Sequence, residues 1–313
     1  MVESKHKWKA WLYLSPAIIL LVVFTVWPII NTVRMAFLEG YSSVSAVGGA
    51  TFNFGIGNFK QVIGYEKFLR CLGNTMLLCI LTVPLSTIIA LLIAVCLNSI
   101  RPFQRLLQTI FFLPYVTNSI AIGMVFAAMF NMVGSAFGGE NELIITAGII
   151  NNVIEFFGGT AVNWINAGSS YTANIVVMVV YIVWNALPFK ILILLGGLQS
   201  VNKQYYDAAK VDGTRRVRVF SRITVPRLSP MIAYVVITGF IGGFKEYSSI
   251  VGIFGDDMGP AGDPARLNTM VGFIYDSLST HQGRASAAAL ILFGIIFVVT
   301  MINLYVSKKK THY

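Results

Sequence analysis

An all-α, polytopic membrane protein of about six transmembrane helices is the fold class this sequence predicts, on three observations. Hydrophobic residues make up 56% of the 313 positions and charged residues 12%, a balance outside that of soluble globular domains. The apolar residues gather into six runs near or above the roughly 20 residues a helix needs to cross about 30 Å of hydrocarbon. The basic residues behind the net charge of +10 stand at the ends of those runs, where they orient a membrane protein and call for no nucleic acid.

The first run follows a tail, residues 1–10, that holds Lys5, Lys7 and Lys9. It is uncharged from Trp11 to Val33 and continues through Trp27-Pro28 with no small-residue cleavage site, so it reads as a retained transmembrane helix over 11–36 rather than a signal peptide. An outer segment, 37–73, leads to a core over 74–306. Its five spans are expected at Asn74 to Leu97, Leu106 to Met132, Thr172 to Leu198, Pro230 to Phe254 and Ala285 to Val306, before a short tail at 307–313.

Orientation follows from the connections. Inner segments hold Lys5, Lys7, Lys9, Arg101, Arg105, the seven Lys and Arg between Lys203 and Arg227, and Lys308 to Lys310, which is fifteen of the 23 basic residues. That excess places both termini in the cytoplasm. The outer stretch 133–171 carries Glu140, Glu142 and Glu155 but no Lys or Arg, and its apolar piece, Leu143 to Ile154, is too short to span. An amphipathic helix on the outer rim, or a loop contacting an external partner, is expected there.

The inner connection 199–227 has internal order. Tyr205, Ala208 and Ala209 recur at i, i+3, i+4 and give one short helix a small apolar face, which Gly213 can end in a left-handed turn. Thr214 is placed to cap a second short helix with Val217 and Phe220 on its apolar side; Pro226 stops it, and Ser229-Pro230 starts the fifth span. Small residues permit close backbone approach to another protein, and a lone carboxylate can accept a guanidinium from it.

The pattern Tyr206-Asp207-Ala208-Ala209, Asp212-Gly213, Phe220, Ile223 and Pro226 resembles the EAA loop of permease subunits in binding-protein-dependent ABC importers, closest to the carbohydrate type that handles maltose or glycerol phosphate. Asp207 stands where that family usually has glutamate. Gly57-Asn58-Phe59, Asn74-Thr75, Arg105 with Pro114, Leu187-Pro188-Phe189 and Leu198-Gln199 extend the resemblance over about residues 10–306. It implies the type I ABC importer permease fold in the plasma membrane of a prokaryote. It further implies a loop that docks on a cytoplasmic ATPase dimer, with Tyr206, Asp207, Ala208, Ala209, Asp212, Gly213, Phe220 and Pro226 in the coupling segment. A second, non-identical permease subunit and an extracytoplasmic solute-binding protein complete the assembly. The chain itself shows no phosphate-binding glycine loop with its lysine, so it is expected to bind no cofactor and to be no enzyme, with ATP and Mg on the partner ATPase.

Within the spans, each ionisable side chain needs a reason, since insertion costs roughly 2.5 to 3.5 kcal/mol. Lys190 can snorkel to the inner interface or take a local partner. Lys245 and Glu246 are adjacent and point in different directions, so at least one is expected to face a cavity or a neighbouring subunit. Sugars stack on aromatic rings while amides, hydroxyls and charges take their hydroxyl groups. Two helix faces offer that: Tyr181, Trp184 and Asn185, and Phe240, Phe244 and Tyr247, with Lys245 beside the second. Packing against other helices is the competing role for both. Gly239 and Gly243 form a small-x-x-x-small pair suited to a close helix contact within the chain or with a second subunit.

Other classes fit less well. Cys71, Cys79 and Cys96 lie in apolar sequence, the first two about 12 Å apart along one helix, so neither a disulfide nor a metal site follows. His6, His281 and His312 lie in tails or an outer loop, which leaves no intramembrane catalytic constellation. A stand-alone secondary transporter or channel for a polar solute remains the alternative, but it needs a coupling-ion site and usually repeats within one chain.

Overall fold

The computed structural model describes residues 7–100, 104–138 and 142–310. Expectations that fall on Lys5, His6, Arg101, Glu140 and His312 lie outside the described residues. The chain divides into two compact units, 1–69 with 272–294 and 70–271 with 295–313.

In the first unit, α1 (Trp8–Phe37) is long and apolar enough to span and buries none of its apolar window. Pro28 cannot donate a backbone hydrogen bond, and the turn before it, Val22–Val26, widens into a π-helix. Two short helices follow, α2 (Ser43–Val47) and α3 (Gly57–Ile63), before α4 (Glu66–Ser99) begins. The segment 37–73 is therefore largely helical. The Gly57-Asn58-Phe59 motif closes α1: the buried Asn58 amide donates to the carbonyls of Ala36 at 3.0 Å and Leu38 at 2.7 Å and accepts from Gly40 N–H at 3.2 Å. Gly57 N–H donates to Glu39 Oε1 at 2.8 Å, and Phe37 packs between Phe54 and Phe59.

In the second unit α4 continues to Ser99, followed by α5 (Gln104–Val116) and α6 (Ser119–Phe130). The run expected as one straight span at Leu106 to Met132 is two helices bent by 99°. The cause is local: Thr117 Oγ1 turns back onto Pro114 O, and the Asn118 side chain accepts from Ile120 and Ala121 N–H, starting a new helix. The stretch 133–171 then departs from the helical pattern. Strands β1 (Met132–Gly138) and β2 (Glu142–Ala147) pair antiparallel, Met132 opposite Ala147, and α7 (Ile149–Phe156) follows. Leu143 to Ile154, expected as one helix or loop, is half strand and half helix.

Helix α8 (Tyr171–Ser200) agrees with the expected fourth span to within two residues. Beyond it come α9 (Gln204–Val211), α10 (Arg216–Arg227), α11 (Ser229–Phe244) and α12 (Ser248–Phe254). The fifth span, expected to run unbroken from Pro230 to Phe254, stops at Phe244. Glu246 Oε1 accepts from Tyr247 and Ser249 N–H, both at 3.2 Å, and caps α12 instead. Helices α13 (Met270–Leu278) and α14 (Gln282–Lys310) complete the chain. Among the described residues four helices meet the length and apolarity for a span, or up to six when each bent pair, α5 with α6 and α10 with α11, counts as one, and the chain is a multi-pass membrane protein.

Two buried clusters hold the second unit together. One gathers Leu78, Phe130, Met178, Tyr181, Ile250 and Leu267; the other gathers Ala90, Ala94, Leu194, Leu195, Leu228 and Val235. The Asn74-Thr75 pair fastens the segment 266–270 to α4: Asn74 Nδ2 donates to Arg266 O and Asn268 O, and Met270 N–H donates to Thr75 Oγ1 at 3.0 Å.

Candidate functional site

A cavity of about 300 Å³ opens between α4, the end of α5, the middle of α8 and α11. Sequence periodicity explains its walls. On α4, Thr82, Val83 and Ser86 recur at one helical face; on α8, Ile182, Asn185, Ala186 and Phe189 do the same. On α11, Gly239, Gly242 and Gly243 bring bare backbone to the edge, with Thr238 beside them and Glu246 just past the helix end. Phe189 of the Leu187-Pro188-Phe189 motif stacks on Tyr115, ring centroids 5.9 Å apart at 18°, and the pair forms the aromatic wall.

The structure distributes the expected substrate-path residues unevenly. Asn185 reaches the cavity. Tyr181 is fully buried, its hydroxyl against Ser119 O and Oγ, and Trp184 packs on Phe126 at 5.0 Å. Tyr181 thus holds the start of α6, and Trp184 packs farther along it. Phe244 is buried, Lys245 is exposed, and neither they nor Phe240 and Tyr247 line the cavity. The aromatic residues that line this cavity are Tyr115 and Phe189, while Tyr181 and Trp184 pack on Phe126. A signal for this was present: an aromatic one turn beyond Asn185 on the same face of α8.

Lys190 takes the second of its two expected roles, local partners rather than snorkelling to an interface. With 4% exposure it donates to Val83 O at 3.1 Å, Ser86 Oγ at 2.7 Å and Thr87 Oγ1 at 2.9 Å, so its ammonium joins α8 to α4. The glycine pair of α11 packs on this junction within the chain: a methyl on Gly239 would lie 3.0 Å from Val83 Cγ1, and one on Gly243 would lie 2.8 Å from Cys79 Sγ. An aromatic wall facing hydroxyl, amide and carboxylate groups is chemistry that binds a sugar by ring stacking and hydrogen bonding.

The segment 199–227 forms the helix, turn and helix expected of it. Gly213, at φ +64°, ends α9: Thr214 N–H donates to Ala209 O at 2.9 Å and Gly213 N–H to Lys210 O at 3.2 Å, a Schellman cap. Arg215 rather than Thr214 takes the extended N-cap position of α10. Pro226 lies inside α10 instead of ending it, since the π-turn Phe220–Thr224 before it leaves room for a residue without N–H. Likewise Leu228, not Ser229, caps α11. Tyr206 OH meets Thr224 Oγ1 at 3.4 Å and Arg227 stacks over the Tyr205 ring, ties that hold the two short helices together.

Around that frame the surface is open. Asp207, Ala208, Asp212 and Gly213 are exposed, Ala209 is buried, and Tyr206, Phe220 and Pro226 are half-buried. A hollow of about 320 Å³ lies between α9 and α10, with Ala208 and Ile223 in it and Asp212, Arg218 and Arg222 about it.

An arabinooligosaccharide transport system permease of Halalkalibacterium halodurans, AraP, is 31% identical, with 97% of this chain and 89% of the relative covered. The lactose transport system permease LacF of Rhizobium radiobacter is 26% identical over 94% of this chain and 91% of the relative. The multiple sugar-binding transport system permease MsmF of Streptococcus mutans is 27% identical over 97% of each chain. These relatives are transport permeases, not enzymes. In fold, the chain matches a bacterial ABC transporter that imports the acidic polysaccharide alginate, with a TM-score of 0.76 at 20% identity over 97% of this chain and 96% of that one. The same match recurs in that transporter's complex with an alginate pentasaccharide-bound periplasmic protein, with a TM-score of 0.76 at 19% identity over 97% and 95%. The family model for the inner membrane component of binding-protein-dependent transport systems matches residues 67–312, and the chain belongs to that family as one of its permeases.

Proposed function

We propose that the chain is the permease subunit of an ATP-driven importer of a sugar or oligosaccharide, forming half of the translocation path. The observation that carries this reading is the cavity: an aromatic wall, Tyr115 on Phe189, faces Asn185, Ser86 and Glu246 in the middle of the helix bundle. Names of the relatives support saccharide as the solute class. The segment 199–227 is the seat for a separate ATPase dimer, which holds ATP and Mg; its exposed Asp207, Ala208 and Asp212 and the hollow between its helices suit a docked helix. A second, non-identical permease closes the path from the other side, and a solute-binding protein delivers from outside a prokaryotic plasma membrane, both termini lying in the cytoplasm.

Uptake of radiolabelled oligosaccharide into proteoliposomes, measured with the assembled subunits and ATP inside, tests this. Tyr115→Ala and Phe189→Ala are expected to lower uptake at least tenfold while the subunits still co-purify. ATP-independent uptake by the purified chain alone would overturn the proposal.

A further inference from the structure

We infer that the cavity selects by charge: it takes an uncharged, hydroxyl-rich solute and turns away carboxylated or phosphorylated ones. This rests on reading the cavity as the solute path. What the structure adds is the hydrogen bonding of Lys190, Ser86, Thr238, Asn185 and Glu246 on the wall.

An anion buried in a bilayer needs a donor with positive charge to offer. Among the residues lining the cavity, Lys190 is the cation. An ammonium has three N–H groups, and here each has a protein acceptor, Val83 O, Ser86 Oγ and Thr87 Oγ1. Those acceptors are oriented for it. Ser86 donates its own hydroxyl hydrogen back to Thr82 O at 2.5 Å, and Thr87 donates to Val83 O at 2.7 Å, so their lone pairs face the lysine. The backbone of Gly239 lies over the remaining side; a methyl there would stand 3.2 Å from Nζ. Lys190 is bonded in place and has no N–H left for a solute.

Thr238 and Glu246 present acceptors to the cavity, and Asn185 spends one of its two amide hydrogens within the protein. Thr238 Oγ1 donates back to Tyr234 O at 2.8 Å, which turns its lone pairs outward. The Asn185 amide nitrogen gives a hydrogen bond to Ser119 Oγ at 3.2 Å. Glu246, held by Tyr247 and Ser249 N–H, brings a carboxyl group and supplies no positive charge in either protonation state. A wall rich in acceptors is matched by a solute with many hydroxyl donors, and an anion meets Glu246 while the Lys190 ammonium has no N–H left to bond it.

The test uses the purified, assembled transporter in nanodiscs without its binding protein, so that the membrane cavity alone does the selecting. The probes are raffinose, a neutral trisaccharide, and trigalacturonate, an anionic one, with binding read by saturation-transfer NMR and competition. Raffinose is expected to bind at least tenfold more tightly. Glu246→Gln is expected to narrow that ratio at least threefold, and Ser86→Ala, which frees one N–H of Lys190, to narrow it independently. Equal binding of the two probes by the unaltered transporter, or a ratio unmoved in both variants, would overturn the charge selection. Binding of neither probe would overturn the solute-path reading itself, and the inference with it.

Discussion

Gly123 and Gly252 meet backbone to backbone where α6 crosses α12: a methyl group on Gly123 would lie 2.6 Å from Gly252 Cα, and one on Gly252 would lie 3.0 Å from Gly123 Cα. The contact joins the far side of the α5–α6 bend to the piece of chain beyond the break at Lys245. Neither helix could approach as closely through any residue with a side chain. Alanine in mid-helix gains up to about 1 kcal/mol of propensity over glycine. Forcing a methyl into backbone atoms costs about 1 to 3 kcal/mol or more, since backbone cannot rotate out of the way. The overlap wins. Gly123→Ala and Gly252→Ala are each expected to lower the thermal midpoint of the detergent-solubilised protein, and a midpoint at or above the original would count against the crossing.

Lys190 and its hydroxyl partners make an asymmetric prediction. Removing Ser86 Oγ leaves a buried ammonium short of one acceptor, at a cost of about 1.5 to 3 kcal/mol. Lys190→Met instead removes the charge and keeps most of the volume; Ser86 and Thr87 still donate to Thr82 O and Val83 O, so only their lone pairs lose a partner. Replacing a buried charge by an apolar group of similar size is often neutral or better. Ser86→Ala is therefore expected to be the less stable of the two by thermal unfolding. The reverse order would show that the ammonium is solvated rather than held.

Asn58 predicts a local effect at one end of α1. Its amide serves carbonyls of the last turn of that helix and its oxygen takes Gly40 N–H. In Asn58→Ala those groups lose their buried partners, and each net hydrogen bond is worth about 0.5 to 1.5 kcal/mol. Hydrogen exchange at the amides of residues 38–41 is expected to quicken at least tenfold, while the amides in the middle of α4 and α8 keep their protection. Uniform change across the chain would mean that the cap holds more than α1.

Much of this architecture is legible in the residues, and what is not has a physical cause. Six apolar runs give six candidate spans because membrane length and hydropathy act on whole segments. Gly213 announces its turn because few residues adopt φ +64° at low cost. The bends after Val116 and Phe244 are hidden, since apolar sequence continues through both and the deciding groups are single side chains, Asn118 and Glu246, that cap the next helix. The β1–β2 hairpin is hidden likewise in a Gly-rich stretch with no alternating pattern. In the cavity, the intramembrane Lys190 was conspicuous but its partners were not. Ser86 and Thr87 sit a hundred residues earlier in an ordinary apolar span, and only the packing of α8 on α4 brings them to it. Tyr181 and Trp184 illustrate the opposite case: their helical spacing was correct, and the helix turned that face toward α6.

The segment 199–227 supplies the last prediction, which separates its shape from its charge. Gly213 sets the angle between α9 and α10 through its left-handed backbone, where asparagine is tolerated and a β-branched residue is strained by roughly 1 to 2 kcal/mol. Asp207 is exposed and makes no turn. If docking needs both, Gly213→Val and Asp207→Lys each reduce ATPase retention on the purified complex at least fivefold. Gly213→Asn is expected to retain it, because the angle is kept. The transmembrane helices hold neither residue, so membrane insertion and the thermal midpoint of the isolated chain stay within a few degrees in all three variants. Full retention in Asp207→Lys together with loss in Gly213→Val would reduce the role of this segment to shape and remove Asp207 from the docking surface.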